Sequence, residues 1–533
     1  MLSGPTIDAT DRGRSLRATE QGDRSKRPDA PRGGPWSIAP GFLAVAVLVA
    51  LSGPRLGRRP LWLDEAYSIG ATHDLAATWR GTGGTMGLYY LVLWPVTQLS
   101  TDRVVVRLPS LVFAAAAVLV VHEVGRRLGG RTMGAVAATM LALAWPIGRY
   151  AVEARSYTLA LLLVSLSWLG LVAAVQARGE GEGGGGSWRR WWWLFGVATL
   201  LAPLAHGLAA LNFVTQVLLL GVMPDRWRWW RACIPVAVGL AGVGALLFGV
   251  GAGEVASWIA PLNWGQIRTI LHVLFGHGVL GWCAGALAAA GGVLAVRVAA
   301  RRGGGAEARL ALVPLFWAVG VPLLLVGISV FRPYAVGRYV IGALPGVALL
   351  VGGVVSRLKP VMLAPVAVAL AVLLLLDEPE TNSRYPEDWP ALVERITADG
   401  ADGDRLVIRH ELRGPLDYAW GELGDDERIG LVPLAPTDPL GEVRRFYDPP
   451  TESFPALLAA DTSTPVWYVE RDRLRLHAVV ALLSDPAVDS RYEVAGRWTF
   501  AGELYLVRLE PRPLWRAVGV ALGERLAPFF AGG

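Results

Sequence analysis

Eleven apolar runs divide this 533-residue chain, and most approach the roughly 20 residues that a helix needs to cross a bilayer. They lie at 36–54, 106–125, 132–148, 157–176, 191–205, 207–223, 232–252, 278–297, 310–330, 338–355 and 360–376. Inside a bilayer only helices and closed barrels satisfy every backbone N–H and C=O. Runs of this length and uninterrupted apolarity select the helix. The expectation is a polytopic α-helical membrane protein with about 11 transmembrane helices.

Charge gives the runs a direction. Residues 1–376 carry 33 Lys/Arg and 16 Asp/Glu, a net of +17, whereas residues 377–510 carry 14 and 27, a net of −13. The basic excess sits between apolar runs, which reads as membrane orientation and not as a nucleic-acid face. Arg126, Arg127 and Arg131 fill one short connection, and Arg178, Arg189 and Arg190 the next alternate one. Arg226, Arg228 and Arg231 follow, then Arg297, Arg301, Arg302 and Arg309, then Arg357 with Lys359. All fall on one side with the basic N-terminus, which the positive-inside rule makes cytoplasmic. Arg55, Arg58 and Arg59 dissent, but the later loops outweigh them. The expected topology is N-in/C-out.

Residues 1–35 are polar and Arg-rich and read as a disordered cytoplasmic tail. The glycine run 183–186 reads as a flexible cytoplasmic linker. The first outer loop, 54–105, holds the apolar stretch GLYYLVLWPVTQLS, too short to span and expected to lie re-entrant or at the interface. The outer loop 253–277 is also partly apolar and reads as membrane-surface. After 376 the pattern shifts to acids, prolines and short alternating runs. EDWPALVERI reads as a helix, DRLVIRH and PVWYVER as strands, and RYEVAGRWTF with GELYLVRLE as a closing hairpin. Residues 377–511 thus form a small extracytoplasmic α/β domain, and 512–533 an amphipathic tail. Lys occurs only at Lys26 and Lys359 among abundant Arg, Ala and Gly, which reads as GC-rich bacterial coding and a bacterial plasma membrane. Cys233 and Cys283 both lie in apolar runs, which argues against a disulfide framework.

Topology selects the chemistry. No Walker loop, strand-borne Rossmann glycine fingerprint or HExxH occurs. Enzymes outside the cytoplasm cannot count on ATP or nucleotide sugars, so a sugar transferred there is activated on a lipid phosphate. Such a site needs a base for the acceptor hydroxyl and cations for the departing phosphate. In LWLDEAYS, Asp64 and Glu65 adjoin an apolar boundary. They read either as a base with a neighbour that positions acceptor or metal, or as a helix N-cap. In RYAVEARSYTLALLL, Glu153 and Arg155 form either a polar wall facing a phosphate or an interfacial ion pair. His206, in a tight turn between two runs, reads as a phosphate or metal ligand or as a hydrogen-bonded cap. Arg332, Tyr334, Arg338 and Tyr339 oppose the positive-inside bias, as phosphate contacts or as a topological anchor with an aromatic belt.

These segments, with VVRLPSLVFAAAAVLVVHEVGRRLGG and GRYVIGALPG, resemble the membrane glycosyltransferases of the GT-C fold. Within them the chain is similar to the bacterial glycosyltransferase family 39-like proteins, often called mannosyltransferases, which are related to protein O-mannosyltransferases and the aminoarabinose transferase. The resemblance covers about 36–376, and EDWPALVERI…GDRLVI is similar to the start of their outer domain. It implies Asp64 as catalytic base with Glu65 beside it, and Arg155 and Arg338 on a polyprenyl phosphate. It implies an inverting transfer to an extracytoplasmic glycan, lipid or protein acceptor. No cofactor is certain. Some relatives use a divalent metal, but too few ligands are visible here to assign one. The competing expectations are a transporter or flippase of lipid-linked sugars and an envelope sensor. The clean runs with charges at their ends favour transfer.

Overall fold

The structure, a computed structural model, describes residues 38–179, 187–249, 259–301, 305–377, 387–441, 452–460, 463–471 and 476–512. The expected tail 1–35, the glycine run 183–186 and, apart from Arg512, the amphipathic tail lie outside those residues.

Each apolar run is helical, α or 3-10, over most of its described length. Among the described residues, six helices are long and apolar enough to cross a membrane: Arg103–Gly129, Tyr157–Arg178, Arg226–Leu247, Gly278–Arg301, Ala306–Ser329 and Gly337–Val355. Shorter apolar helices run over Ala39–Arg55, Arg131–Leu143, Gly207–Gly221 and Pro360–Leu376. Their large exposed side chains, among them Leu43, Val238, Trp282, Leu323 and Val361, face outward as lipid-facing residues do. Small residues let the helices approach closely. A Cβ on Gly125 would stand 2.7 Å from the Cα of Gly134, so the backbones of two successive helices meet there.

Between the first apolar helix and Arg103 the chain makes three short helices, Leu63–Gly70, Leu75–Gly81 and Gly87–Leu99. The last is the stretch expected to be re-entrant or interfacial, and it is 13 residues long. Asp74 caps the second through the Ala77 N–H, and Asp102 caps the long helix that follows through Val104 and Val105. The loop 253–277, described from residue 259, carries a capped helix at Trp264–Phe275.

The C-terminal domain is built on a five-stranded mixed sheet. Its strands are β1 (Arg405–Ile408), β2 (Val432–Ala435), β3 (Val466–Arg471), β4 (Tyr492–Phe500) and β5 (Leu504–Pro511), in the order β2-β1-β3-β5-β4. β1 pairs in parallel with β2 and β3, and the β4–β5 hairpin closes antiparallel on β3. Period-two alternation separates two cores. Leu406, Ile408, Trp467 and Val469 join the helix Trp389–Asp399 on one face. Val407, Val466 and Tyr468 join Leu482 and Val488 on the other. The helix, β1, β3 and the hairpin were expected. β2 was not, because its exposed first residue and internal Pro433 blur the alternation.

The sheet domain packs on the segment between the first apolar helix and the start of the helix Arg103–Gly129. Leu63 enters its first core, the Tyr67 hydroxyl donates to the Glu411 carbonyl at 2.6 Å, and Arg103 pairs with Glu422 at 2.7 Å.

Candidate active site

Asp64 and Glu65 occupy the second and third positions of the helix Leu63–Gly70. Their charges suit the positive end of the helix dipole. Trp62 is the N-cap residue and makes no side-chain cap, so Asp64 does not serve as the cap. One turn of helix then points the two neighbours in different directions. Glu65 is buried, and Asp64 keeps 22% of its side chain exposed.

Glu65 is fully engaged inside the protein. Arg107 donates to it twice, Nε to Oε1 and Nη2 to Oε2, each at 2.7 Å. The Ala154 N–H donates to Oε1 at 2.8 Å. Arg107 also donates to the carbonyls of Leu56, Arg59 and Pro60. One buried bidentate pair thus ties the Asp64 helix, the helix Arg103–Gly129 and the loop before Tyr157 together. This departs from the expectation that Glu65 positions acceptor or metal.

Asp64 meets Arg155 instead. Arg155 Nη2 stands 3.4 Å from Asp64 Oδ2, and its Nη1 donates to the Asp64 carbonyl at 3.1 Å. The pair is buried on the guanidinium side and open on the carboxylate side. Arg155 Nε is buried with no hydrogen-bond partner among the described residues.

Beyond Arg155 the cluster continues through aromatic rings. The Arg155 and Arg338 guanidinium carbons lie 5.9 and 6.0 Å from the centre of the Tyr157 ring. Arg338 also lies 5.8 Å from the Tyr339 ring. These distances are the outer limits of cation–π attraction. His206 packs 5.8 Å from Tyr157 and 4.8 Å from Tyr339. Burial and the charges of Arg338 and Arg155 hold the His206 imidazole down at about 4, so it is neutral near pH 7. Tyr157, His206, Asn212, Arg338 and Tyr339 line a partly open cavity.

Glu153 completes the polar wall. Arg149 Nε donates to its Oε1 at 3.0 Å, while Oε2 is buried with no hydrogen-bond partner among the described residues. Burial pushes the Glu153 carboxyl up to about 7 against the pull of Arg149, and the charges of Glu65 and Asp64 add to the rise.

Asp64, Arg155, His206 and Arg338 therefore converge, with Glu153 behind them. Arg332 is exposed, and Tyr334 packs half-buried on the membrane core. Among the described residues neither joins the cluster's hydrogen bonds or ring contacts. No group of three His, Cys, Asp or Glu among the described residues is placed to hold a metal ion. Sequence reasoning missed Arg107 and Tyr157. Arg107 had one signal, a charge inside an otherwise apolar run. Tyr157 had only its position two residues after Arg155.

No protein-family model matches the sequence, and no curated protein does either. Solved structures do match. The chain is similar to ArnT from Cupriavidus metallidurans bound to undecaprenyl phosphate, at 16% identity and TM-score 0.52, over 88% of this chain and 97% of that one. It is also similar to the archaeal oligosaccharyltransferase AglB from Archaeoglobus fulgidus, in complex with an inhibitory peptide and a dolichol-phosphate. There the identity is 10% and the TM-score 0.50, over 91% of this chain and 77% of that one. The fold is the GT-C fold of these glycosyltransferases, as the resemblance in sequence implied.

Proposed function

We propose that this chain is a membrane glycosyltransferase that moves a sugar from a polyprenyl-phosphate donor to an acceptor hydroxyl on the outer face of a bacterial plasma membrane. One observation carries the reading: a part-exposed carboxylate, Asp64, stands against the Arg155 guanidinium, and Arg155, Arg338 and neutral His206 all gather around the Tyr157 ring. That juxtaposes a base with cations, the two requirements of sugar transfer from a phosphate.

The acceptor hydroxyl attacks the anomeric carbon while the bond from that carbon to the phosphate oxygen breaks. Asp64 takes the hydroxyl proton. The bonding pair leaves with the polyprenyl phosphate, whose added negative charge Arg155 and Arg338 stabilise. In-line displacement inverts the anomeric centre. Neutral His206 contributes a hydrogen bond without adding charge. Glu65 and Arg107 position the Asp64 helix and meet no substrate. Arg332 and Tyr334 would serve the lipid entrance. The distribution of basic residues supports an eleven-span, N-in/C-out arrangement, in which this pocket and the sheet domain, 377–511, lie outside the cytoplasm. Mannose is the proposed sugar, by the family resemblance.

Deleting the gene is expected to remove one sugar-sized mass from a cell-envelope glycan. The wild-type gene should restore it, and Asp64→Asn should not. Movement of lipid-linked sugar across vesicles without formation of a glycosidic bond would instead mark the chain as a carrier.

A further inference from the structure

The helix that carries Asp64 begins without a cap of its own. Its N-cap residue, Trp62, has no side-chain oxygen to offer. The acceptor comes from 324 residues away: Glu387 Oε2 takes the Leu63 N–H at 2.9 Å. Leu63 is the first residue of the helix, so the bond satisfies one of its orphan donors.

Glu387 is held firmly by the sheet domain. It is buried, Trp389 Nε1 donates to the same Oε2 at 2.8 Å, and Arg471 of β3 pairs with Oε1 at 2.8 Å. The next residue, Asp388, donates its N–H to the Ala501 carbonyl in the turn of the β4–β5 hairpin. Gly502 in that turn has φ +76° and lies directly on the Glu387 backbone, where any Cβ would collide with the Glu387 Cα. The hairpin turn, β3 and the helix Trp389–Asp399 thus fix one carboxylate at the start of the Asp64 helix. The Tyr67 hydroxyl grips the Glu411 carbonyl farther along it.

We infer that Glu387 is a positioning residue for Asp64: the sheet domain caps and orients the base-bearing helix, and the base is in register only while that domain is docked. This rests on the reading of Asp64 as the base. Charge at the helix start and a fixed N–H acceptor both come from a domain with no other assigned task. Misplacing a base by a fraction of an ångström slows the chemical step more than it weakens lipid binding.

Two variants of the full-length protein test this. Glu387→Ala removes the acceptor, and Glu387→Gln keeps an oxygen in the same place. Hydrogen–deuterium exchange over residues 61–71 should quicken at least tenfold in Glu387→Ala and stay within about threefold of wild type in Glu387→Gln. Binding of undecaprenyl phosphate, read by tryptophan fluorescence, should stay within about twofold in both. Restoration of the envelope glycan in the deletion strain should fall at least tenfold with Glu387→Ala and be largely rescued by Glu387→Gln. Unchanged exchange in Glu387→Ala, or wild-type restoration by it, overturns the inference. If the wild-type gene itself restores no glycan, the transferase reading fails, and exchange alone then decides whether Glu387 caps the helix.

Discussion

Arg155 holds Asp64 at two points, its backbone carbonyl at 3.1 Å and its carboxylate at 3.4 Å. The first contact is a normal hydrogen bond, and the second is longer than a strong charge-assisted one. The guanidinium therefore fixes where Asp64 sits while leaving the carboxylate lone pairs largely unspent. A base needs that combination, since a carboxylate with every lone pair taken cannot accept a proton. Glu65, one residue on, has every lone pair contact supplied by protein.

Asp64→Asn is expected to lower transfer roughly a hundred- to ten-thousand-fold, the range for loss of a general base. Expression and thermal melting should match the wild type, because the side chain is part-exposed and Arg155 keeps its bond to the backbone carbonyl. The check is restoration of the envelope glycan in the deletion strain, normalised to protein in the membrane. Transfer at the wild-type rate would remove Asp64 from the mechanism.

The adjacent residue should behave in the opposite way. Both side chains of the Glu65–Arg107 pair are nearly inaccessible, at 1% and 2%. Breaking such a pair from one side strands a buried charge, at a cost of about 3–5 kcal/mol. Glu65→Leu and Arg107→Leu should each lower the melting temperature in detergent and the yield of folded protein. The double variant should recover only in part, since Arg107 also closes the carbonyls of Leu56, Arg59 and Pro60. Full recovery in the double variant would reduce the network to a single pair.

The contrast marks what the sequence can and cannot disclose. Apolar run length placed the helices, and alternation placed β1, β3 and the hairpin, because burial periodicity is a local property. The adjacency of Asp64 and Glu65 was visible too. Their division of labour was not, since it depends on Arg107, 42 residues away, and on the Ala154 N–H, 89 away. Arg332 and Arg338 look alike in FRPYAVGRYV, yet one is exposed and the other lines the cavity. The irregular stretch 333–336 separates them, and no local pattern records which arginine faces inward. The cap from Glu387 lies beyond any motif, because it joins two separately patterned segments of the chain.

Arg338 and Arg155 should be separable by what they bind. A charged hydrogen bond is worth about 1.5–3 kcal/mol, so Arg338→Ala should weaken binding of undecaprenyl phosphate roughly ten- to a hundredfold. Arg338→Lys should recover little, because an ammonium lacks the planar fork and packs poorly beside Tyr157 and Tyr339. Tyr157→Leu should weaken binding less, by severalfold, since it loosens both guanidinium groups without removing either. Titration of detergent-solubilised protein with undecaprenyl phosphate reads all three, and equal affinity for wild type and Arg338→Ala would place the phosphate elsewhere.

Two titratable groups at the pocket should act on stability with opposite signs. Glu153 is raised from 4.5 to about 7, so between those values the folded state keeps a proton that the unfolded state has lost. Stability from this group falls as pH rises through that window. His206 is lowered from 6.5 to about 4, so between those values the unfolded state holds the extra proton. Stability from this group is present above 6.5 and is lost as pH falls toward 4. The two windows overlap from 4.5 to 6.5, where the contributions oppose each other and mask one another in the wild type. Glu153→Gln should therefore expose the histidine slope, with melting temperature rising with pH relative to wild type and exceeding it at pH 8. His206→Gln should expose the glutamate slope, with melting temperature falling over the same range. Melting curves at half-unit steps from pH 4.5 to 8, each taken as a difference from wild type, separate the two. Difference curves that are flat, or that share one sign, would mean that neither group titrates between the folded and unfolded states as its burial dictates.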